Sequence, residues 1–210
     1  MASKKSHPRP ARRTRDAGEG EATPPRIIGG RFRGRRLQYS GDLRTRPMKD
    51  RVREAMFNLL GPGVRDTHAI DLFAGTGALG LEALSRGAAR ATFIEQHFPT
   101  AEILKQNIAM LEAESLSKVV AGNTFAWFRG GPDLGAERWL VFSSPPYEFY
   151  LSRAQEMLDL VGGLMSAAPP GSLFAVEADA RFDFRTLPDP ERWDVRQYLP
   201  AVVGIWEKKE

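Results

Sequence analysis

Apolar positions along the chain are sparse at first and regular later. Residues 1–25, MASKKSHPRP ARRTRDAGEG EATPP, hold Met1 as their one large apolar side chain among Lys, Arg, Pro, Gly and Glu. Such a segment cannot bury enough surface to offset the entropy of ordering it, so it reads as a flexible basic tail. From Arg26 to Tyr39 two short apolar runs, Ile27-Ile28 and Leu37-Gln38-Tyr39, flank a Gly- and Arg-rich stretch, which predicts a small β-hairpin carrying exposed arginines. Past Pro47, Val52, Met56, Leu59 and Leu60 recur at helical spacing, with Pro47 where a first turn tolerates it, and Gly61-Pro62-Gly63 ends the helix. Strand and helix patterns then alternate. Strands are expected at Ala69 to Ala74, Ala91 to Glu95, Lys118 to Ala121, Trp139 to Ser143, Leu173 to Glu177, Trp193 to Leu199 and Val202 to Glu207. Helices are expected at Leu79 to Ser85, Pro99 to Leu111 and about Leu151 to Met165. Alternating βα units imply an α/β fold, a mostly parallel sheet of roughly seven strands with helices on both faces. The last two strands, joined by too few residues for a crossover helix, form an antiparallel pair. The expected organisation is a tail over 1–25, a hairpin extension over 26–46 and a core over 47–210.

Composition and charge sharpen this picture in two places. With 42% apolar and 27% charged residues and no run approaching the ~20 apolar residues of a spanning helix, neither a membrane span nor a wholly disordered chain is expected. No apolar signal stretch opens the chain and it has no cysteine, so a cytoplasmic location is expected and thiol chemistry, disulfides and thiolate metal sites are excluded. The net charge of +4 divides unevenly: residues 1–53 hold 16 Lys+Arg against 5 Asp+Glu, a net of +11, and the remainder 14 against 21, a net of −7. An anionic partner at the N-terminal quarter follows, nucleic acid before membrane. His7, His68 and His97 lack ligand spacing, so no metal is expected, and Trp127, Trp139, Trp193 and Trp206 are assigned to the core or strand edges.

Two motifs carry chemistry. In Asp71-Leu72-Phe73-Ala74-Gly75-Thr76-Gly77-Ala78-Leu79-Gly80 the glycines form G-x-G-x-x-G between a predicted strand and a predicted helix. Glycines permit a tight turn and close approach of the backbone, and the helix start offers unpaired N–H groups. Asp71, Phe73, Ala74, Gly75, Thr76 and Gly77 are thereby candidate cofactor residues, and Glu95, ending the next strand, is a candidate acceptor for ribose hydroxyls. A carboxylate at Asp71 suits the ammonium of S-adenosylmethionine better than the pyrophosphate of a dinucleotide. The alternatives are an ordinary glycine turn, a capping Asp71 and a solvated Glu95.

Ser144-Pro145-Pro146-Tyr147 follows the apolar run Trp139 to Phe142, at the strand edge where open α/β sheets bind ligands. Two prolines fix the backbone, Ser144 and a backbone carbonyl offer acceptors, and Tyr147 offers a flat face. The set fits methylation of an exocyclic base amine, since acceptors on the amine's N–H groups favour a nitrogen that attacks a methyl group. The base must leave its stack to reach such a pocket. A plain Pro-Pro turn with Tyr147 half buried is the alternative.

Together the motifs resemble the RsmD-type 16S rRNA guanine-N2 methyltransferase family, class I enzymes dependent on S-adenosylmethionine. The resemblance rests on Arg26-Ile27-Ile28-Gly29-Gly30-Arg31-Phe32-Arg33-Gly34-Arg35, Arg46-Pro47, Asp50 to Asn58, Asp71 to Gly87 and Ile94-Glu95, and excludes the tail before Arg26. It implies a Rossmann-like fold, an S-adenosylmethionine pocket lined by Asp71, Gly75 and Gly77, ribose held by Glu95, and Asn123 near the adenine. It further implies an amine-binding turn at Ser144, Pro145, Pro146 and Tyr147, with 16S rRNA or a small-subunit assembly intermediate as partner of a monomeric enzyme. Two positions depart from the family pattern: Ser144, where Asp or Asn is usual, and Met48, where threonine is usual. Serine is uncharged and shorter than aspartate, so it stabilises positive charge on the amine less well.

Arg31, Arg33, Arg35 and Arg36, with Arg44, Arg46, Lys49, Arg51 and Arg53 beyond them, form the candidate RNA surface. Arg46, Arg51 and Arg53 have a second candidate role, closing over the cofactor. The rival readings are a noncatalytic rRNA-binding or assembly protein with a degenerate site at Ser144, a cytosine-N4 DNA methyltransferase and, from the glycine pattern alone, a nicotinamide-dependent oxidoreductase.

Overall fold

A computed structural model of the chain describes residues 24–41 and 48–209. The tail expected over 1–25 (Pro24 and Pro25 apart) and the expected roles of Arg44, Arg46 and Pro47 lie outside the described residues. Helix α1 (Asp50–Leu60) buries Val52, Met56 and Leu60 in one stripe, with Phe57 also buried beside it and Leu59, expected in the stripe, only partly buried. It stops at Gly61 (φ 51°), whose N–H reaches the Phe57 carbonyl, and Pro62 cannot continue it.

The strands are β1 (His68–Asp71), β2 (Arg90–Glu95), β3 (Ser117–Ala121), β4 (Trp139–Ser143), β5 (Leu173–Asp179), β6 (Asp194–Tyr198) and β7 (Ala201–Glu207). They form one sheet of seven in the order β3-β2-β1-β4-β5-β7-β6. The first five are parallel; β7 runs antiparallel to β6, as expected, and also to β5. Helices α2 (Ala78–Ser85) and α3 (Phe98–Met110) join α1 over one face, and α4 (Thr124–Arg129), α5 (Phe149–Ser152) and α6 (Ala154–Ala167) belong to the other side. Alternate residues of a strand feed opposite cores: on β4, Leu140 and Phe142 pack under α1 and α2, and Val141 packs under α6. A side chain such as Phe142, fully buried, contributes roughly 1.5–3 kcal/mol to folding. Among the described residues no helix is long and apolar enough to cross a membrane.

Three expectations change. The hairpin near Arg26 shrinks to one antiparallel bridge, Arg26 to Arg36. Its backbone is used elsewhere: the Ile28 and Gly29 N–H groups donate to the Glu82 carboxylate at 2.7 and 2.8 Å, and Phe32 N–H donates to Ser85 Oγ at 2.9 Å. Gly30 (φ 72°) lies so close to the Ser85 carbonyl that a Cβ would sit 1.8 Å from it. Ile27 and Leu37 complete the anchoring by entering the core. The helix expected from Leu151 to Met165 is split into α5 and α6 at Arg153 (φ −131°, ψ 33°), whose guanidinium lies over the Phe125 ring and pairs with Glu156. Helix α4, unanticipated, starts where Asn123 Oδ1 accepts the Ala126 N–H at 3.1 Å.

Candidate functional site

Strand β1 lies between β2 and β4, so the order of the sheet reverses there, and the crevice beyond the carboxyl ends of β1 and β4 is where such sheets bind ligands. Both motifs leave the sheet at this crevice, the glycine loop after β1 and the proline turn after β4. They wall one cavity of about 690 Å³, a size suited to a small-molecule cofactor with part of a substrate.

On the β1 side, Asp71, Phe73, Ala74, Gly75, Thr76 and Glu95 line the cavity. Asp71 is 1% exposed; its Oδ2 accepts the Gly80 N–H at 3.1 Å, and its Oδ1 is buried with no hydrogen-bond partner. Burial pushes the Asp71 carboxyl up to about 7, the nearby Glu95 carboxylate adding to the shift and the Gly80 and Phe73 N–H groups opposing it. Glu95 joins two loops, accepting Gly75 N–H through Oε2 at 2.8 Å and His97 N–H through Oε1 at 2.7 Å. Gly77 sits behind the wall rather than in it. It caps α2 at φ 87°, and a Cβ there would meet Leu104 at 2.4 Å. Asn123 also stands back from the cavity, capping α4 and donating from Nδ2 to Gln96 at 3.2 Å; Gln96 and Thr124 reach the cavity instead.

On the β4 side, Ser144, Pro145, Pro146 and Tyr147 all line the cavity. Facing them is Glu177 of β5, a residue the sequence reading did not single out. Ser143 pairs with Val176 in the β4–β5 ladder, so one residue further along each strand places Ser144 beside Glu177. Ser144 Oγ donates a short hydrogen bond to Glu177 Oε2, and the Tyr147 hydroxyl donates to Oε1 at 2.7 Å. Glu177 is 5% exposed, and burial raises its carboxyl above the ordinary range against those two donors. The β6–β7 turn, through Tyr198, Pro200 and Ala201, and the start of α1, through Met48, Lys49 and Val52, complete the walls. The start of α1 belongs to the stretch that carries the family resemblance, with Met48 departing from its pattern, whereas no motif marks the β6–β7 turn and pattern alone could not place it there.

Arg31, Arg33, Arg35, Arg36 and Arg51 of the candidate RNA surface are exposed. Arg53 leaves that surface. It is fully buried, its guanidinium bonded to the carbonyls of Arg26 and Met48 and to Asp50, so it ties the N-terminal segment to α1. It does not line the cavity either, so closing over the cofactor is not its position. His68 is buried between the Leu134 carbonyl and Thr92, and His97 bonds Thr100 at the cavity wall. No cluster of metal-ligating side chains occurs among the described residues.

A family profile described as Conserved hypothetical protein 95 matches residues 25–197. Ribosomal RNA small subunit methyltransferase D of Escherichia coli strain K12 is 39% identical over 164 residues, spanning 78% of this chain and 79% of that protein. The chain belongs to the RsmD-type family of S-adenosylmethionine-dependent rRNA methyltransferases. Its fold agrees with this membership: a solved Escherichia coli chain of 32% identity superposes with a TM-score of 0.71 over 89% of this chain and 99% of that one. The 16S rRNA N2 G1207 methyltransferase of T. thermophilus, solved with AdoMet and guanosine, shares the fold at 20% identity and a TM-score of 0.63, over 90% of this chain and 50% of that one.

Proposed function

We propose that this protein methylates the exocyclic N2 amine of a guanine in 16S rRNA, free or within a small-subunit assembly intermediate, by direct transfer to a base turned out of its stack. The observation that carries the reading is the single cavity walled by both motifs, one suited to the methyl donor and the other to the acceptor. The residues present fit S-adenosylmethionine. Asp71 Oδ1, buried without a donor, is matched by the ammonium of the methionine part, and Glu95 retains lone pairs for ribose hydroxyls. When bound, the cofactor supplies a methyl group activated by its sulfonium.

The chain's own residues handle the base. Tyr147, half-buried at the cavity wall, gives the displaced base an aromatic face that offsets part of the lost stacking. Ser144 Oγ and the Pro145 carbonyl accept from the amine's N–H groups and hold its lone pair toward the methyl group; positioning and preorganised polar contacts are the working terms. The T. thermophilus N2 methyltransferase, of the same fold, is described with guanosine, which accords with a guanine here. The arginines of the 26–46 extension and Arg51 hold phosphates outside the pocket of the 47–210 core, the 1–25 tail adds further cations, and the protein acts as a cytoplasmic monomer.

The test is transfer of a tritiated methyl group to unmodified small subunits. Transfer followed by recovery of N2-methylguanosine supports the reading. Normal cofactor binding with no transfer favours a noncatalytic RNA-binding protein, and N4-methylcytosine in a DNA substrate favours the DNA enzyme.

A further inference from the structure

A serine hydroxyl facing an amine is ambiguous, because it can accept from an N–H or donate to the nitrogen lone pair. Donation would occupy the electrons that must attack. In this protein the ambiguity is removed: Ser144 gives its one hydrogen to Glu177 Oε2, so toward the cavity its oxygen has lone pairs alone. The other oxygen of Glu177 holds the Tyr147 hydroxyl and thereby fixes the aromatic face. One carboxylate from β5 thus orders both hydroxyls of the turn after β4.

We propose that Glu177 is the positioning residue of the acceptor pocket, locking Ser144 as a hydrogen-bond acceptor for the exocyclic amine and receiving, through Ser144, the proton the amine loses. The proposal rests on the amine-methylation reading above. As the N–C bond forms and the S–C bond breaks, the electron pair of the broken bond stays on sulfur. The surplus proton on nitrogen passes to Ser144 Oγ while the Ser144 proton passes to Glu177 Oε2. The products are a neutral methylated amine, a neutral thioether and a neutral Glu177 carboxyl, which returns its proton to water when the base leaves. Burial, which holds this carboxyl above the ordinary range, makes it the better proton acceptor.

Two readouts test this in the full-length chain. Guanosine and inosine differ by the exocyclic amine, and titration followed by NMR without cofactor should show wild type preferring guanosine by about fivefold or more, with Glu177→Gln reducing the ratio toward one. In methyl transfer to small subunits, Glu177→Gln should lower turnover about 10²-fold while cofactor affinity stays within about twofold. Ser144→Asp, which sets a carboxylate directly at the amine, should restore at least about tenfold of the loss in the Glu177→Gln background, a rescue that a merely structural role does not permit. Unchanged turnover and unchanged discrimination in Glu177→Gln would overturn the proposal, as would absence of rescue. If Glu177→Gln fails to fold, Ser144→Ala carries the test, and full guanosine preference in that variant overturns it. A wild-type protein that transfers no methyl group instead brings down the reading beneath.

Discussion

The acidic residues on the two sides of the cavity are built in opposite ways. On the β1 side, Asp71 and Glu95 take their hydrogen bonds from backbone N–H groups of Gly80, Gly75 and His97, and one Asp71 oxygen is left without a donor. On the β4 side, Glu177 has a side-chain hydroxyl on each oxygen. A buried carboxylate oxygen without a donor is costly until a cation or donor arrives, which marks the first group as a binding device. A carboxylate already satisfied by the residues it orders is a positioning device. The difference separates holding the cofactor from preparing the acceptor.

The largest expected effect breaks the comparison at Asp71. Asp71→Asn should weaken S-adenosylmethionine binding about 10- to 100-fold by calorimetric titration, as loss of a charge-assisted contact implies. Cofactor affinity equal to wild type would erase the distinction from Glu177.

The pH dependence sharpens the same point. Because the Asp71 carboxyl sits at about 7, cofactor affinity should fall about tenfold per pH unit below that value, and Asp71→Asn should show no such slope. Stability of the cofactor-free protein runs the other way. The folded value of about 7 lies above the ordinary 3.8, so the folded state keeps a proton the unfolded chain has lost. The contribution is complete below 3.8 and is lost as pH rises through about 7, so thermal denaturation should show a decline over that window that Asp71→Asn removes.

Smaller effects probe the packing behind the glycine loop and the surface beyond it. A Cβ on Gly80 would lie 2.3 Å from the Phe93 ring, and Gly80→Ala should cost about 1–3 kcal/mol in denaturant unfolding. Pro146, exposed on the opposite wall, has no such constraint, and Pro146→Ala should cost about 0.4–1 kcal/mol through the unfolded chain. Smallest is the RNA arm, where Arg33→Ala and Arg36→Ala should each reduce the salt slope of RNA binding by about one unit and leave cofactor affinity unchanged.

The same contrast explains what could be read from the chain. The glycine loop is legible because turn, helix start and Asp71 lie within ten residues, and the βα alternation fixes the strands that flank it. The proline turn is legible for the same local reason. Glu177 is not, because it meets Ser144 across 33 positions of sequence through strand register alone. Asn123 and Arg53 show the converse: a polar residue in a suggestive place is used by the fold itself, as a helix cap and as a buried tie. The N-terminal segment has the alternation of a hairpin, yet its N–H groups go to Glu82 and Ser85, a competition visible only once α2 is in position.

The nucleoside that carries the methyl group separates N2 methylation of guanine from every rival activity. Mass spectrometry of 16S rRNA nucleosides from cells lacking this protein, and from the same cells with it restored, measures that directly. Loss of one N2-methylguanosine and its return with the wild-type chain is the predicted result. An unchanged N2-methylguanosine content, or a change confined to another methylated nucleoside, would contradict it.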